Sequence, residues 1–182
     1  LLASYIRPDR DVWVELGLQT IHNETLSRIN RGHTVEDFFK AYKQLKDKGI
    51  KVAVHLILGL PGEEYKEILE TIHTVAALKP DGIKIHNLHI PKGTALYDEY
   101  LCGEITVPSV YRYLEYTITV LTHIPKETVV IRLTTDTPQS DRAAPLIFPV
   151  KAKFFILLRN EMKKRRVSQG IFNKKIETNI IK

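Results

Sequence analysis

A chain of 182 residues, 43% hydrophobic and 26% charged, has the composition of an ordinary globular protein and the length for one domain with a sizeable core. No apolar run approaches the roughly 18 residues of a membrane span, and the opening LLASYIRPDRD lacks the charge, apolar core and cleavage site of a signal peptide. The single cysteine, Cys102, excludes an internal disulfide and a multi-cysteine metal site, so the expected compartment is the cytoplasm. The net charge of +6 is unevenly placed: residues 1–150 hold 17 basic and 19 acidic side chains, residues 151–182 hold 10 and 2. A basic tail on a near-neutral body suits contact with a nucleic acid, or equally the solvated face of a helix.

Residues 1–10 hold a short apolar run and then Arg-Pro-Asp-Arg, without the signals that open an element. Residues 12–18, VWVELGL, alternate strictly, with Val12, Val14, Leu16 and Leu18 on one face and Trp13, Glu15, Gly17 and Gln19 on the other. An apolar outer face and a partly polar inner one suit a barrel strand with helices outside and a functional lumen inside. Residues 23–30 are predicted as a short helix. Thr34, with Asp37 three residues on, starts the next one; Phe38, Ala41, Tyr42 and Leu45 fall at helical spacing, and Gly49 sits where the helix should end. Residues 52–64, VAVHLILGLPGEE, read as a buried strand, a turn at Gly59-Leu60-Pro61-Gly62 and an acidic helix start, which is how a β–α unit of a parallel sheet reads.

Ile68, Leu69, Ile72, Val75 and Ala76 stripe the helix that follows, stopped by Pro80, and Asp81-Gly82 turns into a third strand, residues 83–89, IKIHNLH. Residues 91–94 are a loop and 96–101 a short helix. Val110, Leu114, Thr117, Ile118 and Leu121 mark another helix, and residues 128–133 a strand. Residues 134–149, with three prolines, are expected as an extended loop in which Asp136 and Asp141 form turns. Ala152, Phe155, Arg159 and Met162 are expected along the inner stripe of a last helix, and residues 173–182 as a frayed end. The β–α alternation argues for a parallel, barrel-like α/β layout with right-handed crossovers.

The inward positions are then Glu15, Gly17 and Gln19 of the first strand, His55, Ile57 and Gly59 of the second, and Lys84, His86 and Leu88 of the third. Ligands of such sheets sit at the carboxyl ends of the strands. His55 by itself reads as readily as a hydrogen-bonded core histidine; polar residues on three neighbouring strands suit a polar ligand better. Gln19 offers a donor and an acceptor, and Arg31 a charged fork suited to a carboxylate. His55, His86 and His89 lack the local spacing of a metal site, and no metal is assigned. The chain contains no G-x-S-x-G, Walker, G-x-G-x-x-G or H-E-x-x-H motif, which leaves serine hydrolase, P-loop, dinucleotide and zincin chemistry without their residues. Cys102, beside Gly103, reads as an ordinary residue rather than a nucleophile.

Four runs, taken in order and spacing, resemble the radical SAM superfamily, specifically the YhcC-like group related to the elongator catalytic subunit. They are VELGLQT (residues 14–20), INRGH (29–33), HLILGLPGE (55–63) and GIKIHNLHI (82–90) followed by Lys92-Gly93-Thr94. The likeness continues through Arg132-Leu133-Thr134 and Ala144-Pro145-Leu146. It implies the second half of a partial (β/α)6 TIM-like barrel, strands four to six, over residues 1–124. A C-terminal α/β extension over 125–172 and a tail over 173–182 would follow. In relatives such as oxygen-independent coproporphyrinogen oxidase the positions matching Gln19 and Arg31 contact S-adenosylmethionine. Those matching His55, Ile57 and Gly59, and the next strand end near His86 and His89, border the same ligand; an aspartate stands in that relative where His55 stands here.

The resemblance further implies a 4Fe–4S cluster held by a CxxxCxxC loop, which this sequence does not contain; its one cysteine cannot ligate a cluster. The expectation is a C-terminal fragment that in intact form would cleave S-adenosylmethionine to a 5′-deoxyadenosyl radical and that is inactive alone. Its expected partners are the N-terminal half of the same protein and tRNA or another RNA. A homodimer through the open barrel edges, at residues 12–18 and near the last strand, is expected as well. The alternatives are a non-catalytic RNA-binding module that uses the basic tail, and an α/β barrel fragment that holds a phosphate at the same rim.

Overall fold

The alternating segments fold as strands and the amphipathic ones as helices. The structure, a computed structural model, describes residues 1–135 and 142–173. After a 3₁₀ turn at Leu2–Tyr5 the chain forms β1 (Trp13–Gln19), α1 (Asn23–Arg28), α2 (Val35–Lys46), β2 (Lys51–Leu58), α3 (Tyr65–Ala77) and β3 (Gly82–Asn87). There follow β4 (Ile90–Pro91), α4 (Ala95–Leu101), α5 (Val110–His123), β5 (Val129–Arg132), β6 (Arg142–Ala144) and α6 (Lys151–Arg165). The main sheet has the order β1-β2-β3-β5 and every pairing in it is parallel. This is an α/β fold with a parallel sheet, consistent with part of a TIM-like barrel.

Local chemistry sets the element ends. The Thr34 hydroxyl accepts from the Asp37 amide while the Asp37 carboxylate accepts from the Thr34 amide, a reciprocal cap that satisfies two otherwise unpaired donors. Thr94 caps α4 and Ser109 caps α5 in the simpler one-bond form. The Asp81 carboxylate accepts from the Val52 amide at 2.8 Å and from Lys46 Nζ at 2.6 Å, which ties the entry of β3 to the start of β2 and the end of α2.

Side-chain alternation then divides the sheet. Val52, Val54, Leu56 and Leu58 of β2 and Ile83 and Ile85 of β3 are at most 2% exposed. They share one core with Phe38 and Tyr42 of α2, Ile68, Ile72 and Val75 of α3, and Tyr113 and Val120 of α5. Burying such side chains is worth about 1.5–3 kcal/mol each, so this is the face that holds the fold. His55, Ile57, Lys84 and His86 point to the other face and are only partly covered. No helix among the described residues is long and apolar enough to cross a membrane.

Two stretches differ from the expectation. Within residues 134–149 the short strand β6 pairs antiparallel with β4, at Ile90 opposite Ala144 and Pro91 opposite Arg142; Asp136 and Asp141 lie outside the described residues. The inner stripe of α6 is displaced by one position. Phe154 and Leu158 are buried, whereas Ala152, Phe155 and Arg159 are exposed and Met162 is half-buried. Phe154 packs 5.4 Å from the Tyr113 ring and 5.8 Å from Phe148. Apolar residues stand all round this helix, so the aromatic pair on α5 and its lead-in chooses the face, not the spacing. Past α6, the amides of Gly170 and Phe172 donate to the carbonyls of Leu121 and Thr122, so residues 170–172 are fastened to the end of α5. The expected frayed end beyond Asn173 lies outside the described residues.

Candidate functional site

Because the four strands are parallel, their carboxyl ends share one rim, and the register lines up a row across the sheet. Gly17 stands opposite His55, His55 opposite Lys84, and Lys84 opposite Arg132. One step towards the rim, Ile57 stands opposite His86. On this partly open face the His55 and His86 rings meet edge to face with centroids 4.3 Å apart. Lys84 Nζ donates to Glu15 Oε2 at 2.5 Å, and Arg132 Nη1 lies 3.5 Å from His86 Nε2. At the far end of the face Trp13 and Ile131 close over Gly82, where an added Cβ would lie 3.1 Å from each. The polar groups are thus confined to the carboxyl-end side.

The electrostatics follow from burial and from those cations. Desolvation, reinforced by the Lys84 charge, pulls His55 down from its ordinary 6.5 to about 4. Desolvation and then His55 and Lys84 pull His86 down to about 3. The hydrogen bond from Lys84 holds the Glu15 carboxyl below the usual carboxylate range. Both imidazoles are therefore neutral at physiological pH, and His55 Nε2 is buried without a hydrogen-bond partner.

The rim of β1 is irregular. The register slips between Gly17 and Gln19, and Gln19 takes φ 70°, so its side chain turns back over the strand. A Cβ on Gly17 would lie 2.5 Å from Gln19 Nε2 and 2.6 Å from Arg31 Nη2; glycine there is what lets amide and guanidinium sit together over the backbone. The Gln19 side-chain oxygen is buried and unbonded, and Arg31 makes no ion pair among the described residues. His33 Nε2 donates to the Gly17 carbonyl at 2.9 Å. Gly59, at φ 84°, sits against the Pro108 ring and turns the chain out of β2. A cleft of about 540 Å³ lies between that turn and residues 104–109.

The structure brings Gln19 and Arg31 together over Gly17, and His55, Ile57 and His86 together on the neighbouring strands. Gly59 lies one turn beyond, against Pro108. His89 stands apart from the row, its Nε2 accepting from Asn87 Nδ2 at 2.8 Å while Asn87 Oδ1 accepts from the Thr135 amide. Among the described residues no three metal-ligating side chains converge, and Cys102 is exposed and free. Three contributors escaped the sequence reading. Arg132 shares the open face with its neighbour Ile131 because the β3–β5 register slips between Ile83 and Lys84, so simple alternation along residues 128–133 does not place it there. Asn87 joins β3 to the segment after β5. Glu63, 8% exposed, has one carboxyl oxygen without a partner, and burial pushes its pKa up.

Comparison with known proteins places this arrangement. The family model of the radical SAM superfamily matches residues 2–75 and that of the radical SAM C-terminal domain residues 80–164, so the chain belongs to the radical SAM superfamily. It is similar to protein YhcC of Escherichia coli K12, at 37% identity over 146 residues, 80% of this chain and 47% of that one. It is also similar to the tRNA uridine(34) acetyltransferase of Methanocaldococcus jannaschii, at 46% identity over 94 residues, 50% of this chain and 17% of that one. Among solved structures it resembles the archaeal Methanocaldococcus infernus Elp3 with an N-terminal deletion, with TM-score 0.77 and 28% identity over 90% of this chain and 41% of that one. The chain spans about half the length of the first relatives it matches, 47% in the case of YhcC.

The family implies S-adenosylmethionine and an iron–sulfur cluster, and the residues present answer differently to the two. One exposed cysteine, in a chain that has no other, does not fit a cluster that needs three thiolates. The orphan Gln19 oxygen, the Arg31 fork beside it and the unbonded His55 nitrogen do fit a ligand rich in carboxylate, amine and hydroxyl groups.

Proposed function

We propose that this chain forms the S-adenosylmethionine-binding rim of a radical SAM enzyme. The observation that carries the reading is the buried, unbonded oxygen of Gln19 beside the unpaired Arg31 guanidinium, both held over Gly17 at the carboxyl end of β1. An unmet buried acceptor costs about 1–3 kcal/mol, and a ligand donor would remove that cost. In this role Arg31 takes the methionine carboxylate, Gln19 accepts from the ligand amine or hydroxyl, and Ile57 and the turn at Gly59 shape the wall. His55 and His86, neutral at working pH, offer hydrogen bonds without adding charge. A 4Fe–4S cluster would supply the reducing electron for S-adenosylmethionine cleavage, and this chain, with one exposed cysteine, does not hold the thiolates for it, so we expect it to be inactive alone in that chemistry.

Isothermal titration of the 182-residue protein with S-adenosylmethionine tests the rim. Gln19→Ala and Arg31→Ala are each expected to lose about tenfold in affinity, about 1.4 kcal/mol, with the far-UV spectrum unchanged. Wild-type affinity in both variants would refute the assignment. Anaerobic iron and sulfide analysis of the same chain should find no stoichiometric cluster.

The proposed partner of the open face is the N-terminal half of the same protein, with the edges β1 and β5 as the joining strands and a homodimer through those edges when that half is absent. The proposed compartment is the cytoplasm. The likeness to a tRNA uridine(34) acetyltransferase supports tRNA as the substrate class. A second reading, a non-catalytic RNA-binding module, draws on α6, where Arg159 and Lys163 make no ion pair among the described residues. Arg165, in contrast, is held by both Glu115 and Glu161. A steep salt dependence of tRNA affinity that vanishes with Arg159→Gln/Lys163→Gln, in a protein that does not bind S-adenosylmethionine, would favour the module.

A further inference from the structure

The cross-sheet row carries more positive charge than its own residues neutralise. Lys84 and Arg132 are direct neighbours on parallel strands, an arrangement in which like charges repel. Lys84 is answered by Glu15 at 2.5 Å. Arg132 is half-buried and makes no ion pair among the described residues; it acts on Glu15 only as a longer-range charge, and its hydrogen-bond contact is His86 Nε2 at 3.5 Å, an imidazole nitrogen and not a counter-ion. Arg31 at the rim is likewise unpaired. Three cations therefore share the open face with one carboxylate, and the two imidazoles between them carry no charge.

A partly desolvated cation beside another cation is costly unless something answers it, and such uncompensated features gather at functional sites. Glu15 holds Lys84 through Oε2 and makes no ion pair with Arg132. Nor does Arg132 serve the ligand carboxylate assigned to Arg31. Gly17 and Arg132 are separated by three strand spacings, roughly 14 Å at about 4.8 Å each. Two separate anions can be held at once.

We propose that Arg132, with Lys84 beside it, binds an oxyanion of the substrate, phosphoryl or carboxylate, on the open sheet face across from the S-adenosylmethionine rim. That the anion belongs to the substrate rests on the function proposed above; the anion site itself does not. The site takes a group that presents two oxygens in the plane of the guanidinium fork, the geometry in which arginine exceeds lysine.

The test is an NMR titration of the 182-residue protein, following the imidazole signals of His55 and His86, with pyrophosphate as the phosphoryl probe and citrate as the carboxylate probe. Desolvation is the main cause that keeps both rings neutral and the neighbouring cations add to it; an anion on Arg132 offsets that added part, so a saturable shift and a rise in both titration midpoints are expected. Saturation by pyrophosphate assigns the phosphoryl form, and saturation by citrate the carboxylate form. Arg132→Gln should weaken the titrating probe at least tenfold and Arg132→Lys should restore part of that loss. Lys43→Gln, at the exposed surface of α2, should change nothing. Histidine signals that ignore both probes, or an Arg132→Gln variant that titrates like wild type, would overturn the proposal. A wild-type protein that fails to bind S-adenosylmethionine yet shows the histidine shifts would remove the function proposed above and leave the anion site standing.

Discussion

The turn that carries β2 into α3 allows a sharp quantitative test. Gly59 has φ 84°, and a Cβ there would lie 2.1 Å from Pro108 Cγ and 2.8 Å from Cδ. Alanine at this position incurs two separable costs. The left-handed backbone is worth roughly 1–2 kcal/mol for a residue with a Cβ. Overlap with a proline ring, which cannot swing aside as a lysine tip would, adds about 1–3 kcal/mol as residues 104–109 are forced outward. For Gly59→Ala the sum is roughly 2–5 kcal/mol, a melting temperature lower by roughly 4–20 °C in a chain of this size. Gly93→Ala is the control: its φ is 75° but no atom lies within 4 Å of the added Cβ, so it bears the first cost alone. In Gly59→Ala/Pro108→Ala the steric part should be recovered. Urea and thermal unfolding of the four proteins decide the matter; a Gly59→Ala variant no less stable than Gly93→Ala would refute the packing argument.

Acid should weaken the protein through the paired histidines. Their folded pKa values, about 4 and about 3, lie below the ordinary 6.5 that an unfolded chain restores, so the unfolded state binds protons first. Stability is therefore complete above about pH 7 and is lost as pH falls from 6.5 towards 4, by an order of 1 kcal/mol once solvent screening of these half-open rings is allowed for. The urea midpoint of His55→Gln/His86→Gln should fall less than that of wild type over this range. Glu63 acts with the opposite sign, because burial raises its pKa and favours the protonated form in the fold. Glu63→Gln should stabilise the protein at pH 7 by about 1 kcal/mol and lose that advantage in acid; an equal gain at both pH values would point to packing instead. Phe154→Ala should cost about 3–5 kcal/mol and Phe155→Ala under 1, the reverse of what the stripe read from spacing requires.

Much of the fold is legible without coordinates because it depends on short-range geometry. The period-two alternation of residues 12–18, the apolar run of residues 52–58, the Thr34–Asp37 cap and the turn at Gly59 act within a few residues, so the strands and the helix starts follow from the sequence by itself. The grouping of Gln19, His55 and His86 at one rim follows as well, given only that successive β–α units lie side by side. Other features needed the tertiary structure. Which residue meets which across the sheet depends on register between strands some thirty to fifty residues apart, so the row that ends in Arg132 appears only once β5 is seated beside β3. The two- and three-residue strands β4 and β6 are too short for alternation to show, and they exist because one answers the other. The face that α6 buries is chosen by Tyr113 and Phe148, because a helix apolar on every side carries no preference of its own. Local periodicity determines what a segment is; only packing decides what it faces.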